Sequence, residues 1–239
     1  MGLATVSLFL ARGAHVCALD LSTETPEIKK LQSQYGTQRL SVRKADVTNQ
    51  SQIKQILTDL WNQWGEVSGV VNCAGVLSAG KVVSSNPNTL LSPENMMRTL
   101  RINVVGTFTV CQQYCQLARA RKLKSGVIVN VASVAGEDGQ QGQTAYSASK
   151  GAIMAMTLPM SRELGRMGVR VVAVMPGLFR TKMSDLIPSR VEKAILANSA
   201  LKRFGEPEEF ADFVAAIVGN SYLTGVNLRL DGGTKLPML

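Results

Sequence analysis

Apolar and polar positions along this chain fall into two alternating patterns. Residues 15–21, 40–44, 68–72, 126–131, 168–175 and 225–230 each read as a strand, and the nearly unbroken apolar, β-branched run over 126–131 reads as a fully buried strand of a parallel sheet. Between them apolar residues recur at three- and four-residue steps: over 1–12, over 26–35, in a segment running through Trp61, in one long pattern over 93–119, from Thr144 onward, and over 206–218 behind Pro207. Strands alternating with helices predict an α/β fold with a doubly wound parallel sheet, its ligand lying across the carboxyl ends of the strands. Glycine and proline fall at element ends and no repeat interrupts the pattern, so residues 1–239 read as one domain with its own core.

The candidate chemistry is concentrated in residues 126–150, GVIVNVASVAGEDGQQGQTAYSASK. The strand delivers Ser133 to the carboxyl end of the sheet; after a Gly/Gln-rich loop, Tyr146 and Lys150 fall at i and i+4 on one helical face. Ala145, Ala148, Ala152 and Ala155 recur on a neighbouring face. That smooth strip predicts packing on the sheet or on another helix, with Tyr146 and Lys150 turned toward a site. A free tyrosine titrates near pH 10, and a cation one turn away favours the phenolate, bringing it toward useful acid/base range. Ser133 can donate a hydrogen bond to a carbonyl or alkoxide oxygen, where charge changes during hydride transfer. The trio fits carbonyl/alcohol redox chemistry; the plainer alternative is an exposed Tyr/Lys pair and a serine cap.

The Ser–x12–Tyr–x3–Lys spacing behind a buried strand resembles the signature of the short-chain dehydrogenase/reductase family. NCAG at residues 72–75, INVVG around Asn103 and Pro176-Gly177 extend the resemblance over essentially the whole chain. GQQGQTAYSASKG, MTLP, PGLF and NCAG are similar to the 3-hydroxyacyl-CoA dehydrogenase type 2 branch, also described as a 17β-hydroxysteroid dehydrogenase. The resemblance implies a Rossmann-type fold, NAD as cofactor, and interconversion of 3-hydroxyacyl-CoA and 3-oxoacyl-CoA, extended to hydroxysteroids. It further implies a homotetramer and a mitochondrial location, with the cytoplasm as the alternative. Carried onto these positions, it makes Tyr146 the general acid/base and gives Lys150 the tasks of lowering the Tyr146 pKa and binding the nicotinamide ribose. Ser133 polarises the substrate oxygen, and Asn103 distorts its helix and holds a water of the proton relay.

The same resemblance distributes the cofactor. Asp20, at the end of the first strand, meets the adenosine ribose hydroxyls and repels a 2′-phosphate, favouring NAD over NADP; alone, such a residue is more often just a helix cap. Asp46 and Val47 lie beside the adenine, Asp46 doubling as a cap. Asn72, Ala74 and Gly75 run along the cofactor, and Pro176, Gly177, Phe179 and Thr181 follow the nicotinamide. Of the family's glycine-rich turn, only the last two positions match, at Met1 and Gly2. The expectation is therefore an N-terminally truncated fold, without the first strand and most of the pyrophosphate turn, whose neighbouring strands expose apolar edges. The competing reading is a non-catalytic form or fragment acting as a protein-interaction module.

Composition narrows the remaining classes. The formal charge of +9 suits a solvated basic surface or attraction for anions such as nucleotide cofactors and CoA esters. The basic residues are scattered and accompany no nucleic-acid motif. Four cysteines in a chain this long are no disulfide framework; Cys111 and Cys115 read as core, and no set of metal ligands is complete. His15 is the sole histidine, which disfavours histidine triads. The apolar run over residues 1–12 lacks a basic leader region and is short for a membrane span, and the TKLPML tail is no recognised anchor. Residues 76–88 line a CoA-ester entrance or form a surface loop. Residues 182–204, with Met183, Leu186, Ile187 and Val191, form an amphipathic lid or ordinary surface helices.

Overall fold

The computed structural model describes residues 1–187 and 189–236; Pro188, the side chain of Leu186 and the last three residues of the TKLPML tail lie outside the described set. The elements follow one another as α1 (Gly2–Ala11), β1 (Val16–Asp20), α2 (Pro26–Arg39), β2 (Leu40–Lys44), α3 (Gln50–Trp64) and β3 (Gly69–Asn72). Then come α4 (Pro93–Leu100), a π-helical turn (Arg101–Gly106), α5 (Thr107–Ala120), β4 (Gly126–Val131), α6 (Thr144–Leu164), β5 (Val169–Pro176), α7 (Ser189–Ala197), α8 (Pro207–Gly219) and β6 (Val226–Leu230).

Local chemistry accounts for most boundaries. Pro26 stands at the start of α2, where the Thr25 hydroxyl accepts from the Ile28 amide. Ser92 and Pro93 open α4 in the same way, and Glu206 with Glu209 forms a capping box ahead of Pro207. Helix α2 runs past the expected end at Tyr35 through a non-helical Gly36 at φ 74°, a conformation open to glycine.

All strand pairs are parallel. Four strands make one sheet in the order β3-β4-β5-β6, while β1 and β2 pair only with each other. β1 and β3 thus each carry one open edge among the described residues. Both are mostly half-buried despite their apolar sequences, whereas β4 is buried throughout. Side chains alternate across β4: Ile128 joins Trp61 and Tyr114 under α3 and α5, and Val127 and Val129 join Phe210 and Val214 of α8. Helices on both faces explain the continuous apolar runs. Each such large side chain contributes about 1.5–3 kcal/mol when fully buried.

Helix α6 corrects one expectation. Its inward face is Ser149, Lys150, Ile153 and Thr157, while Ala148 and Ala155 are exposed and, of the alanine strip, only Ala145 is buried. Small strand residues beneath it, Ala132 and Ala173, leave room for the larger Ile153. Beyond Ala145, the alanine strip therefore faces away from the sheet.

Candidate active site

The site begins where β4 ends. Ser133 is extended at φ −169°, and its hydroxyl accepts from the Ala135 amide at 3.1 Å, opening a single 3-10 turn. The same hydroxyl points at the Pro176 carbonyl, 3.5 Å away at the end of β5. Ser133 and Lys150 are buried and Tyr146 is half-buried.

Lys150 donates to the Val131 carbonyl at 2.7 Å, and its ammonium lies 5.6 Å from the Tyr146 ring centroid. Burial pushes this ammonium down to about 8, because the low-dielectric surroundings disfavour its charge. Burial also pushes the Tyr146 phenol up, and the Ser133 hydroxyl, which favours the phenolate, only partly opposes it. The expected lowering by Lys150 is not what dominates here: desolvation wins, and the ammonium meets the ring and a carbonyl.

Asn103 occupies the π-helical turn that interrupts the long pattern over residues 93–119. Its side chain is buried and bonded at both polar atoms: Oδ1 accepts from the Val76 amide at 2.8 Å, and Nδ2 donates to the Val76 carbonyl and to Ser149 Oγ, both at 2.9 Å. Ser149 Oγ in turn donates to the Tyr146 carbonyl at 2.7 Å. Asn103 thereby ties the exit of β3 to the catalytic helix. Sequence reasoning missed Ser149; its position three residues beyond Tyr146, with its side chain on the Asn103 side, was its only signal.

Small residues form a cradle beside this cluster. A methyl group on Gly75 would lie 3.3 Å from Asn103 Oδ1 and 3.6 Å from Lys150 Nζ, and one on Gly177 would lie 2.8 Å from Asp231 Cβ. Gly2 at the start of α1 sits against Cys73, just past β3, and no side chain caps that helix, leaving its first-turn amides for an anion. Ala74 is exposed between them.

The other expected positions are placed unevenly. Asp20 is exposed at the end of β1 and accepts from the Ser22 amide at 3.0 Å. Asp46 is held below the usual carboxylate range by the Thr48 amide and then the Thr48 hydroxyl, both at 2.8 Å, as a cap would be. Val47 packs against Gly106 beside the π turn. Asn72 spends its side chain inside the sheet, donating to Asn130 at 2.9 Å, so only its backbone is available to a ligand. Phe179 is likewise a core residue, its ring 6.1 Å from that of Phe210. Thr181 pairs with Ser184 in a short turn. Ser133, Tyr146, Lys150, Asn103, Gly75 and Pro176 form one cluster, whereas Asp20 and Asp46 lie at the ends of the separate two-stranded sheet. An acidic residue at one end, an uncapped helix start and glycines along the middle, and a buried lysine at the other fit the chemistry of a dinucleotide.

Relatives agree with that arrangement. A family model described as enoyl-(acyl carrier protein) reductase matches residues 1–235. The 3-hydroxyacyl-CoA dehydrogenase type-2 of Bos taurus is 36% identical over 241 residues, covering 99% of this chain and 91% of its own. The human protein of that name is also 36% identical, over 243 residues, with the same coverage. The 3-oxoacyl-[acyl-carrier-protein] reductase FabG of Thermotoga maritima is 32% identical over 235 residues, covering 98% of this chain and 92% of its own. A solved structure of a 4-hydroxyisoleucine dehydrogenase mutant complexed with NADH and succinate superposes with a TM-score of 0.85 at 25% identity, covering 99% of this chain and 94% of that one. A parallel sheet flanked by helices, a serine, tyrosine and lysine gathered at its carboxyl edge, and relatives matched along nearly their whole length place this chain in the short-chain dehydrogenase/reductase family of nicotinamide-dependent oxidoreductases.

Proposed function

We propose that this protein interconverts 3-hydroxyacyl-CoA and 3-oxoacyl-CoA with NAD(H), through Ser133, Tyr146 and Lys150. The observation that carries the reading is the cluster of buried Ser133 and Lys150 with half-buried Tyr146 at the strand ends, in a chain whose relatives bear hydroxyacyl and oxoacyl names. NADH, when bound, supplies the hydride. The residues of this chain handle the proton. Because burial keeps the Tyr146 phenol protonated at neutral pH, it is ready to give its proton to the oxygen of a 3-oxo group as that oxygen gains charge. Ser133 donates a hydrogen bond to the same oxygen. Lys150, charged below about pH 8, stabilises the phenolate left behind and binds the nicotinamide ribose; Asn103 holds the water through which the proton is replaced. In the oxidative direction the same atoms exchange roles.

Asp20 selects NAD by repelling a 2′-phosphate. The loop that carries Val82 and Val83, both exposed, is tethered to the catalytic loop by the Gly80 amide on the Gly142 carbonyl at 2.8 Å, which suits an entrance for a long acyl-CoA. Hydroxysteroids are a second substrate class for the same apolar entrance. In the 182–204 stretch, α7 buries Ile195 and leaves Met183 ahead of it exposed, the amphipathic character a lid over an acyl chain needs. Exposed Val105, Phe108 and Leu158, together with the outward alanine strip of α6, support assembly as a homotetramer through α5 and α6. A mitochondrial location follows from the resemblance alone.

The test mixes the purified chain with NADH and acetoacetyl-CoA and follows loss of the reduced-nicotinamide absorbance, with Tyr146→Phe as control. Consumption that disappears in the control supports the proposal. Absence of consumption together with absence of thermal stabilisation by NADH favours the alternative, a chain with two separate sheets that binds partners and turns nothing over.

A further inference from the structure

Arg229, on β6, gathers three carboxylates from two distant stretches of chain. It donates to Glu137 at 2.5 Å, to Asp138 at 3.0 Å and to Asp231 at 2.8 Å, and to the Thr234 carbonyl at 3.0 Å. Lys235 adds a second cation on Asp138 at 3.0 Å. The Asp138 and Asp231 side chains are only 15% and 11% exposed, so this is a partly desolvated network and not a scatter of surface pairs. Burial alone would raise the Asp138 carboxyl, yet hydrogen bonds from Lys235 and Arg229 hold it below its usual range.

Such a network is weak evidence for stability, since desolvation offsets much of the Coulomb gain. What a guanidinium fork does supply is direction, because its planar donors fix several carboxylates at once. The two stretches it joins both belong to the site. Glu137 and Asp138 end the turn that starts at Ser133, and both their amides donate to the Val134 carbonyl. Arg229 is in register with Met175, the Leu230 carbonyl accepts from the Gly177 amide at 2.9 Å, and Asp231 backs directly on Gly177. One side chain thus spans the Ser133 turn and the Pro176-Gly177 ledge, across which Ser133 Oγ donates to the Pro176 carbonyl at 3.5 Å.

We propose that Arg229 is a positioning residue, clamping the Ser133 turn to the Pro176-Gly177 ledge so that the Ser133 hydroxyl sits where the substrate oxygen arrives. This rests on the reaction proposed above. Arg229→Met keeps the length and removes the charge; Arg229→Lys keeps the charge and loses the fork. Misplacing a donor by about 1 Å costs on the order of 100-fold, so Arg229→Met is expected to lower kcat for acetoacetyl-CoA reduction by about 10- to 100-fold while NADH affinity changes little, with partial rescue in Arg229→Lys. Because the effect passes through Ser133, it should largely vanish in a Ser133→Ala background, a non-additivity that a general loss of stability does not produce. Amide hydrogen exchange gives a readout independent of turnover: protection over residues 134–138 should fall in Arg229→Met while that of β4 holds. Unchanged exchange there, additive rate effects with Ser133→Ala, or a lowered melting temperature with kcat per folded molecule intact would each overturn the clamp. If the wild-type chain consumes no NADH, the reaction proposal fails, and the exchange measurement still decides whether Arg229 holds the turn.

Discussion

The Lys150 ammonium is anchored on the Val131 carbonyl at 2.7 Å, one residue pair before Ser133, and reaches the Tyr146 ring only at 5.6 Å. Its proton is therefore held by the end of β4 as well as by the catalytic helix, in surroundings that bring its pKa from 10.5 down to about 8. Between those two values the unfolded chain binds a proton that the folded chain does not, so stability rises with pH from about 8 to about 10.5. A shift of this size corresponds to about 3 kcal/mol across the window. Thermal melts of wild type and Lys150→Met at several pH values check it. The wild type should gain on the variant as pH climbs through that window, and parallel curves would contradict the shift.

The raised Tyr146 phenol gives a directional prediction. Reduction of a 3-oxo substrate needs the phenol protonated and should persist at neutral pH, whereas oxidation of the 3-hydroxy substrate needs the phenolate and should climb toward alkaline pH. Rate profiles in the two directions should cross. Tyr146→Phe should lower both by at least about 100-fold, the upper part of the range for acid–base catalysis, and leave NADH binding nearly unchanged by fluorescence titration.

Asn103→Leu removes three hydrogen bonds, one buried and two partly buried, and leaves both backbone groups of half-buried Val76 without that partner. With each unsatisfied group costing about 1–3 kcal/mol, the expected loss is about 2–5 kcal/mol, or roughly 5–15 °C in melting temperature for a chain of this size. Turnover should fall further than stability explains, because Ser149 and the first turn of α6 lose the same support. Equal kcat per folded molecule would confine Asn103 to a structural part.

Asp20→Ala removes the one acid at the end of β1. NADPH use should then rise relative to NADH by about 10-fold or more, as loss of a like-charge repulsion worth at least about 1.4 kcal/mol implies. A cofactor ratio unmoved by the substitution would mean that the carboxylate serves only its turn with Ser22.

Gly168→Ala tests the base of the sheet. Gly168 has φ 73°, and an added methyl would fall 2.1 Å from the Lys124 carbonyl, which is backbone and cannot step aside cheaply. The left-handed conformation alone costs about 1–2 kcal/mol for a non-glycine residue, and the clash adds to it. A melting temperature within about 2 °C of wild type, less than 1 kcal/mol at this length, would contradict the packing.

Most of this fold was legible because buried parallel strands leave an unmistakable mark: β4 begins and ends where its apolar run does. The spacing of Ser133, Tyr146 and Lys150 was legible for a related reason, since i and i+4 on a helix and a residue past a strand end are fixed by backbone geometry alone. What sequence could not carry was competition between side chains for the same space. The alanine strip of α6 lost the inner position to Ile153 and Thr157, and Asn72 turned to Asn130, a partner 58 residues away. Phe179 looked like part of a ligand ledge and went to Phe210. The contacts of Arg229 lie more than 90 residues away in Glu137 and Asp138, and no local pattern announces them.

The division into two sheets changes what a ligand means to this chain. Asp20 rides on the β1-β2 pair and Lys150 beside the four-stranded sheet, with no strand hydrogen bonds between the two pieces among the described residues. A dinucleotide gripped at both ends would therefore serve as a strap across a seam that the backbone leaves open, and its binding energy would appear as mechanical cohesion. Under load or in denaturant, the β1-β2 flap should part first in the free chain, and the two pieces should yield together once the strap is in place.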